Sequence, residues 1–133
     1  MTSIQVHEAP ATIRQRAVVK MDAILATYPF TDAAIKNAAH TFVDGFRGDK
    51  PGMLGHAVGM EVHDTYGSYR TLEPGMVFTI EPMLRIPEYH VGVRLEDMLL
   101  ITADGYENLS AGVPVEMADI EKFMKGPLPA QWQ

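Results

Sequence analysis

The sequence predicts an α+β domain, a curved antiparallel sheet with helices packed on one face. Three observations predict it. Apolar residues recur at helical spacing through the first third of the chain, and from His56 onward the period changes to two. The apolar runs after that point are short and punctuated by turn residues, as in antiparallel strands. The expected layout is a lead-in over 1–10, one domain over 11–126 and a tail over 127–133.

Pro10 is suited to the first turn of a helix, where its missing N–H costs nothing. Ile13, Ala17, Met21, Ile24 and Tyr28 then mark a helix over roughly 11–27, ended by Tyr28-Pro29. Thr31 is a good N-cap for a second helix over about 32–46, with a stripe of Ile35, Ala38, Ala39, Phe42 and Phe46. The short link implies that the two helices pack together. His40 lies off the stripe and reads as a solvated residue.

Residues 47–54 form a turn-rich loop. Beyond it Val58, Met60 and Val62 alternate as in a strand. His56 and His63 are seven apart, so an ideal strand points them to opposite faces; serving one site requires a bulge or turn, which Gly59 permits. A polar connection over 64–75 closes on Glu73-Pro74-Gly75. The next strand covers 76–81, with Val77, Thr79 and Glu81 on one face, and Pro82 ends it. After a loop over 85–90, a third strand covers 91–101, with Arg94, Glu96 and Met98 on one face and Val93, Leu95, Asp97 and Leu99 on the other. Asp104-Gly105 marks a hairpin turn into a short strand over 106–109. A brief helix over about 117–124 stops at Lys125-Gly126. The tail is extended, and Trp132 is free to pack on the core or on a partner.

At 133 residues the chain is long enough for one domain with a single core. The net charge of −6 and the lack of a basic patch argue against nucleic-acid binding. With no cysteine, disulfides and thiolate metal sites are excluded. The N-terminal stretch lacks the apolar core of a signal peptide. No apolar run approaches the roughly 20 residues of a membrane span. A cytoplasmic protein is the default expectation.

Three apolar segments carry residues that such segments should exclude: His56, Glu81 and the Arg94–Glu96 pair. A buried carboxylate is costly unless paired, hydrogen-bonded or metal-bound. One imidazole and two carboxylates on strands supply three ligands for a divalent cation, a set suited to manganese, zinc, iron or cobalt. His63 is placed to donate to a substrate carbonyl, and Arg94 to orient Glu96. The plainer alternative is a solvated Arg94–Glu96 pair, a strand-end Glu81 in water and two half-buried histidines.

These segments also resemble the C-terminal half of the pita-bread metallopeptidases (aminopeptidase P, prolidase, methionine aminopeptidase and creatinase). GHAVGMEVHD resembles that family's G-H-x-x-G-x-x-x-H-[DE] segment, LEPGMVFTIEPM its L-x-P-G-M-x-F-[ST]-x-E-P segment, and VGVRLED its G-x-R-x-E-D strand. VPVEMADIEKFM resembles the closing segment of Xaa-Pro-specific members. The resemblance is strong over roughly 53–124 and weaker over 11–46. It implies metal ligation by His56, Glu81 and Glu96, with Glu96 bridging. It implies contact of His63 with substrate, and, through Arg94, a place nearest the Xaa-Pro branch.

The chain departs from that pattern in two ways. The family's two aspartate ligands, in a D-x(10)-D arrangement, have no match before His56; Asp22 and Asp32 are one residue too close and flank a helix–turn–helix. The histidine found four residues before the ligand histidine in the Xaa-Pro branch is here Gly52. The chain thus resembles a pita-bread half without its N-terminal half. Three functions follow as expectations. One is a metal-dependent hydrolase of short Xaa-Pro peptides, a homodimer in which each copy replaces the missing half. Another is a non-catalytic, metal-binding or interaction remnant. The third is a lyase or amidinohydrolase.

Overall fold

Pro10 opens the first helix as expected, and its φ preference and missing N–H suit that first turn. In the computed structural model, which describes residues 4–47, 54–64 and 71–127, helix α1 spans Pro10–Thr27 and α2 spans Ala33–Asp44. Strands follow as β1 (Ala57–Val58), β2 (Val77–Ile80), β3 (Met83–Ile86), β4 (Val91–Arg94), β5 (Asp97–Thr102) and β6 (Gly105–Asn108), then helix α3 (Met117–Lys125). Trp132, Gly52 and most of the 47–54 loop lie outside the described residues.

The strands form two antiparallel sheets. One has the order β1-β2-β5-β6, and the other is the hairpin β3-β4. The core sits where α1 meets the first sheet: Ile13, Leu72, Phe78 and Ile101 are buried together, flanked by Leu54, Met76, Ile80 and Tyr106. Each such side chain contributes roughly 1.5–3 kcal/mol by leaving water. Leu99, fully buried, lies directly across from Phe78 in the register.

Four expectations need correction. Asp32, not Thr31, caps α2: its carboxylate accepts from the Ile35 N–H at 2.9 Å. On α1, Ile24 and Tyr28 are exposed while Val18 is buried, so the buried face leaves the expected stripe partway along the helix. Val43 is buried on α2 as well. The strand after His56 is only two residues long; the chain turns at Gly59, whose N–H donates to Glu61 O, and returns so that Asp64 N–H donates to Ala57 O. Met60 and Val62 are therefore exposed.

The largest correction concerns 85–101. The expected loop contains the second half of β3, Arg85 and Ile86, and a short 3-10 turn over Pro87–Tyr89. The expected single strand over 91–101 is two strands in two sheets, broken at Leu95–Glu96. Pro82 is the physical reason. It carries no N–H to continue the β2–β5 ladder, so the chain beyond it leaves that sheet and pairs locally, Met83 with Arg94 and Ile86 with Val91.

One turn is set by glycine, and another falls one position from where it is expected. Met76 N–H donates to Glu73 O at 3.1 Å across Pro74-Gly75, and Gly75 has φ 93, as the third position of a type II turn requires. In the β5–β6 hairpin Thr102 pairs with Gly105, so the loop residues are Ala103 and Asp104, one position earlier than expected. The lead-in is tied down across the chain. His7 N–H donates to Leu72 O at 2.8 Å and Leu72 N–H to Glu8 O at 3.0 Å, while the His7 ring meets Glu73 at 2.8 Å.

Candidate metal and substrate site

His56 is positioned by the backbone on both sides. Residues 54–56 extend the β2 ladder beyond β1: Thr79 N–H donates to His56 O and Glu81 N–H to Leu54 O, each at 2.8 Å. The His56 N–H donates to the Thr79 hydroxyl at 2.9 Å. This register places the buried His56 ring against Glu81, with Nε2 3.3 Å from Oε1.

The tautomer follows from a third contact. His56 Nδ1 lies 2.9 Å from Ala57 O, and a carbonyl only accepts, so Nδ1 carries a proton and donates. Nε2 then faces a carboxylate oxygen at hydrogen-bond distance. Two acceptors do not rest that close in a shielded setting unless a proton or a cation lies between them. A backbone carbonyl on the far nitrogen is also how metal-ligating histidines are oriented.

Glu81 is held at its other oxygen. Arg94 Nη1 lies 3.1 Å from Oε2, and its Nη2 lies 3.5 Å from Met83 Sδ. Arg94 thus orients Glu81 and not Glu96, because the break after β4 separates Arg94 from Glu96 and the Met83–Arg94 register brings it to the end of β2. The His63 ring lies 4.2 Å, centroid to centroid, from that of His56 at an angle of 54°. The turn at Gly59 therefore brings both imidazoles to one place, as shared service requires. His63 is exposed and lines an open cleft of about 410 Å³, together with Glu81, Arg94, Arg85, Phe42 and Phe46. That volume lies within the range of small-molecule sites.

Glu96 is exposed, beyond the end of β4. Among the described residues no three His, Asp or Glu side chains gather as a closed ligand set. His56 and Glu81 fit one edge of a coordination sphere, with an imidazole nitrogen and a carboxylate oxygen converging from a nearly dry wall. Neither aspartate considered for the missing side is free to serve. Asp22 pairs with Arg47, and Asp32 caps α2 while accepting from the Tyr89 hydroxyl at 2.5 Å. That hydroxyl is the first cause, and the Ile35 N–H the second, that holds Asp32 below the usual aspartate range. His40 is exposed, as expected.

Two residues matter more than the sequence reading allowed. Thr79, 1% exposed, bonds the His56 N–H and has its hydroxyl 3.5 Å from Glu81 Oε1. Its signal was present, since it shares a strand face with Glu81 two positions on. Asp97 accepts from Asn108 Nδ2 at 2.8 Å and Ser110 Oγ at 3.0 Å, which pins β5 to β6 just after the break.

An imidazole, a carboxylate and a flanking histidine thus converge at one end of the antiparallel sheet. The chain belongs to metallopeptidase family M24, whose sequence model matches residues 4–103. It is 47% identical over 85 residues to Xaa-Pro aminopeptidase 1 of Streptomyces coelicolor, covering 53% of this chain and 17% of that protein. The putative aminopeptidase P from Bacillus anthracis matches in structure with a TM-score of 0.67 at 33% identity, over 92% of this chain and 27% of that one. Aminopeptidase P from Escherichia coli, solved with the inhibitor Pro-Leu, matches with a TM-score of 0.58 at 28% identity, over 91% of this chain and 30% of that one. The fold is thus that of the aminopeptidase P pita-bread structures, and the chain spans about a sixth, 17%, of the length of the Streptomyces relative.

Proposed function

We propose that this chain provides the histidine–glutamate wall of an Xaa-Pro-type metallopeptidase site that acts on short peptides. The observation that carries the reading is the His56 Nε2–Glu81 Oε1 approach of 3.3 Å, with Nδ1 fixed on a carbonyl. His56 and Glu81 would hold a divalent cation, with Glu96 as the family's third ligand from this wall. Manganese, cobalt, zinc and iron all suit such a set. Such a cation supplies Lewis-acid polarisation of a carbonyl and activation of water.

The chain's own residues do the rest. Arg94 fixes the rotamer of Glu81 by holding Oε2. The Ala57 carbonyl keeps the Nδ1 proton in place, so His56 presents Nε2. His63, beside His56 and open to the cleft, donates to a peptide carbonyl or to the charge that develops on it. Phe42 and Phe46, packed edge to face with centroids 5.0 Å apart, offer an apolar wall for a side chain or a proline ring.

The ligand set is completed by a second copy of the chain. β3–β4 has one face on the cleft and an outer face bearing Val91 and Val93, about half exposed at 47% and 54%. A homodimer would cover that face and bring carboxylates from both chains together. Sedimentation should show a dimer at micromolar concentration; a stable monomer there overturns this part of the reading.

Metal analysis of the purified chain, with assays on Xaa-Pro dipeptides and tripeptides plus added manganese or cobalt, tests the whole. Stoichiometric metal that Glu81→Ala removes supports it. A second reading, a non-catalytic remnant of the same fold, is favoured by the uses to which Asp22 and Asp32 are put. Absence of both metal and turnover would establish it.

A further inference from the structure

Among the described residues the cleft carries one cation without a carboxylate partner. Arg94 is committed to Glu81 at 3.1 Å. Arg85, the other arginine on the cleft wall, meets only sulfur, with Nε 3.4 Å from Met83 Sδ. Among the described residues no carboxylate pairs with it.

Strand alternation explains why Arg85 faces the cleft. Met83 and Arg85 are two apart on β3, and the register sets them opposite Arg94 and Gly92. All four positions therefore share one face of the hairpin. Gly92 makes the space: a Cβ there would lie 3.2 Å from Met83 Cε and 3.9 Å from Arg85 Cγ, so the two side chains occupy room that a larger residue would fill. The outcome is an exposed guanidinium on the same wall as the residue that orients Glu81. Its planar fork of donors matches a carboxylate in two parallel hydrogen bonds. A thioether is a poor substitute for such a partner.

We propose that Arg85 binds the C-terminal carboxylate of short peptides, so that the site selects peptides with a free C-terminus lying within reach of Glu81. This rests on the peptide-site reading above and adds a substrate class to it. Longer chains, or chains with a blocked C-terminus, lose that contact.

The test is calorimetric titration of Pro-Leu and of its C-terminal amide into the full chain with manganese present. Pro-Leu has no bond on the amino side of its proline, so it reports binding without Xaa-Pro cleavage. The free acid should bind about tenfold more tightly than the amide, the scale of a charge-assisted contact at a partly wet site. Arg85→Ala should abolish that preference and Arg85→Lys should keep part of it. Arg85 is exposed, so circular dichroism should show both variants folded. Equal binding of acid and amide by the unaltered chain overturns the proposal while leaving the peptide site in place. An undiminished preference in Arg85→Ala does the same. Failure of the unaltered chain to bind either peptide overturns both.

Discussion

Replacing Gly55 with alanine tests how His56 is held. A Cβ at position 55 would fall 1.7 Å from Thr79 O, 2.5 Å from Thr79 C and 2.9 Å from Thr79 Oγ1. Two of these atoms are backbone of a central strand, so neither can swing aside. Relief requires residues 54–56 to lift from β2 by about 1.5 Å to reach van der Waals contact. Such a shift breaks Thr79 N–H to His56 O, His56 N–H to Thr79 Oγ1 and Glu81 N–H to Leu54 O, now 2.8, 2.9 and 2.8 Å. At roughly 1 kcal/mol for each bond, the loss is about 3 kcal/mol. Urea unfolding of Gly55→Ala should show this as a lowered midpoint. Manganese titration should show weakened binding, because the same shift parts His56 from Glu81. A variant within about 0.5 kcal/mol of the unaltered chain, the ordinary range for a neutral surface change, would refute the close approach.

Other outcomes follow from neighbouring contacts. Thr79→Val keeps the shape but leaves the buried His56 N–H unpaired, and should cost about 1–2 kcal/mol in chemical denaturation, with Thr79→Ser close to neutral. Arg94→Ala frees Glu81 Oε2 and should weaken divalent metal binding by about 10–100-fold in a competition titration; unchanged affinity would mean Glu81 needs no such support. A hydrogen bond from Arg16 holds Glu8 below the usual glutamate range. Its contribution is therefore full above that range and lost as pH falls through the depressed folded value. Arg16→Ala should flatten the acid limb of melting temperature against pH, and an unaltered limb counts against the pair. Tyr89→Phe should move the Asp32 titration up towards its usual range in a carboxylate NMR titration; no movement would show that the Tyr89 contact does not matter.

The elements best legible in the sequence were those whose signals are local. Pro10 opens its helix as expected, because proline acts on its own backbone, and α3 ends at Lys125 beside Gly126, where the stop was expected. The turn at 73–76 was equally plain. The break of 91–101 into two strands was not, since Val91, Val93, Leu95 and Leu99 keep one alternating apolar face on which only Asp97 intrudes. Its cause lies thirteen residues before Leu95, in the N–H that Pro82 lacks. For the same reason the partner of Arg94 was misread: spacing along one strand pointed to Glu96, while cross-strand register chose Glu81. The meeting of His56 and His63 was legible only as a condition, a turn at Gly59, which the fold meets. The duties of Asp22 and Asp32 were hidden because Arg47 and Tyr89 reach them from elsewhere in the fold.

The clasp of residues 7 and 8 over Leu72 has a consequence for the order of folding. Its ring contact joins positions 66 apart in sequence. Closing a loop of that length is entropically costly until the elements between have shortened it. The helices and the β1–β2 ladder must form first and deliver Leu72 to the lead-in. A latch that closes last is also held by few neighbours, and it is the natural place for the native chain to open. The amides of His7 and Leu72 should therefore exchange with solvent sooner than those of Phe78 or Leu99. Yet Leu72, only 2% exposed, belongs to the core itself. Each opening of the N-terminal latch thus wets the core at Leu72, and proteolytic trimming up to Ala9 would make that wetting permanent.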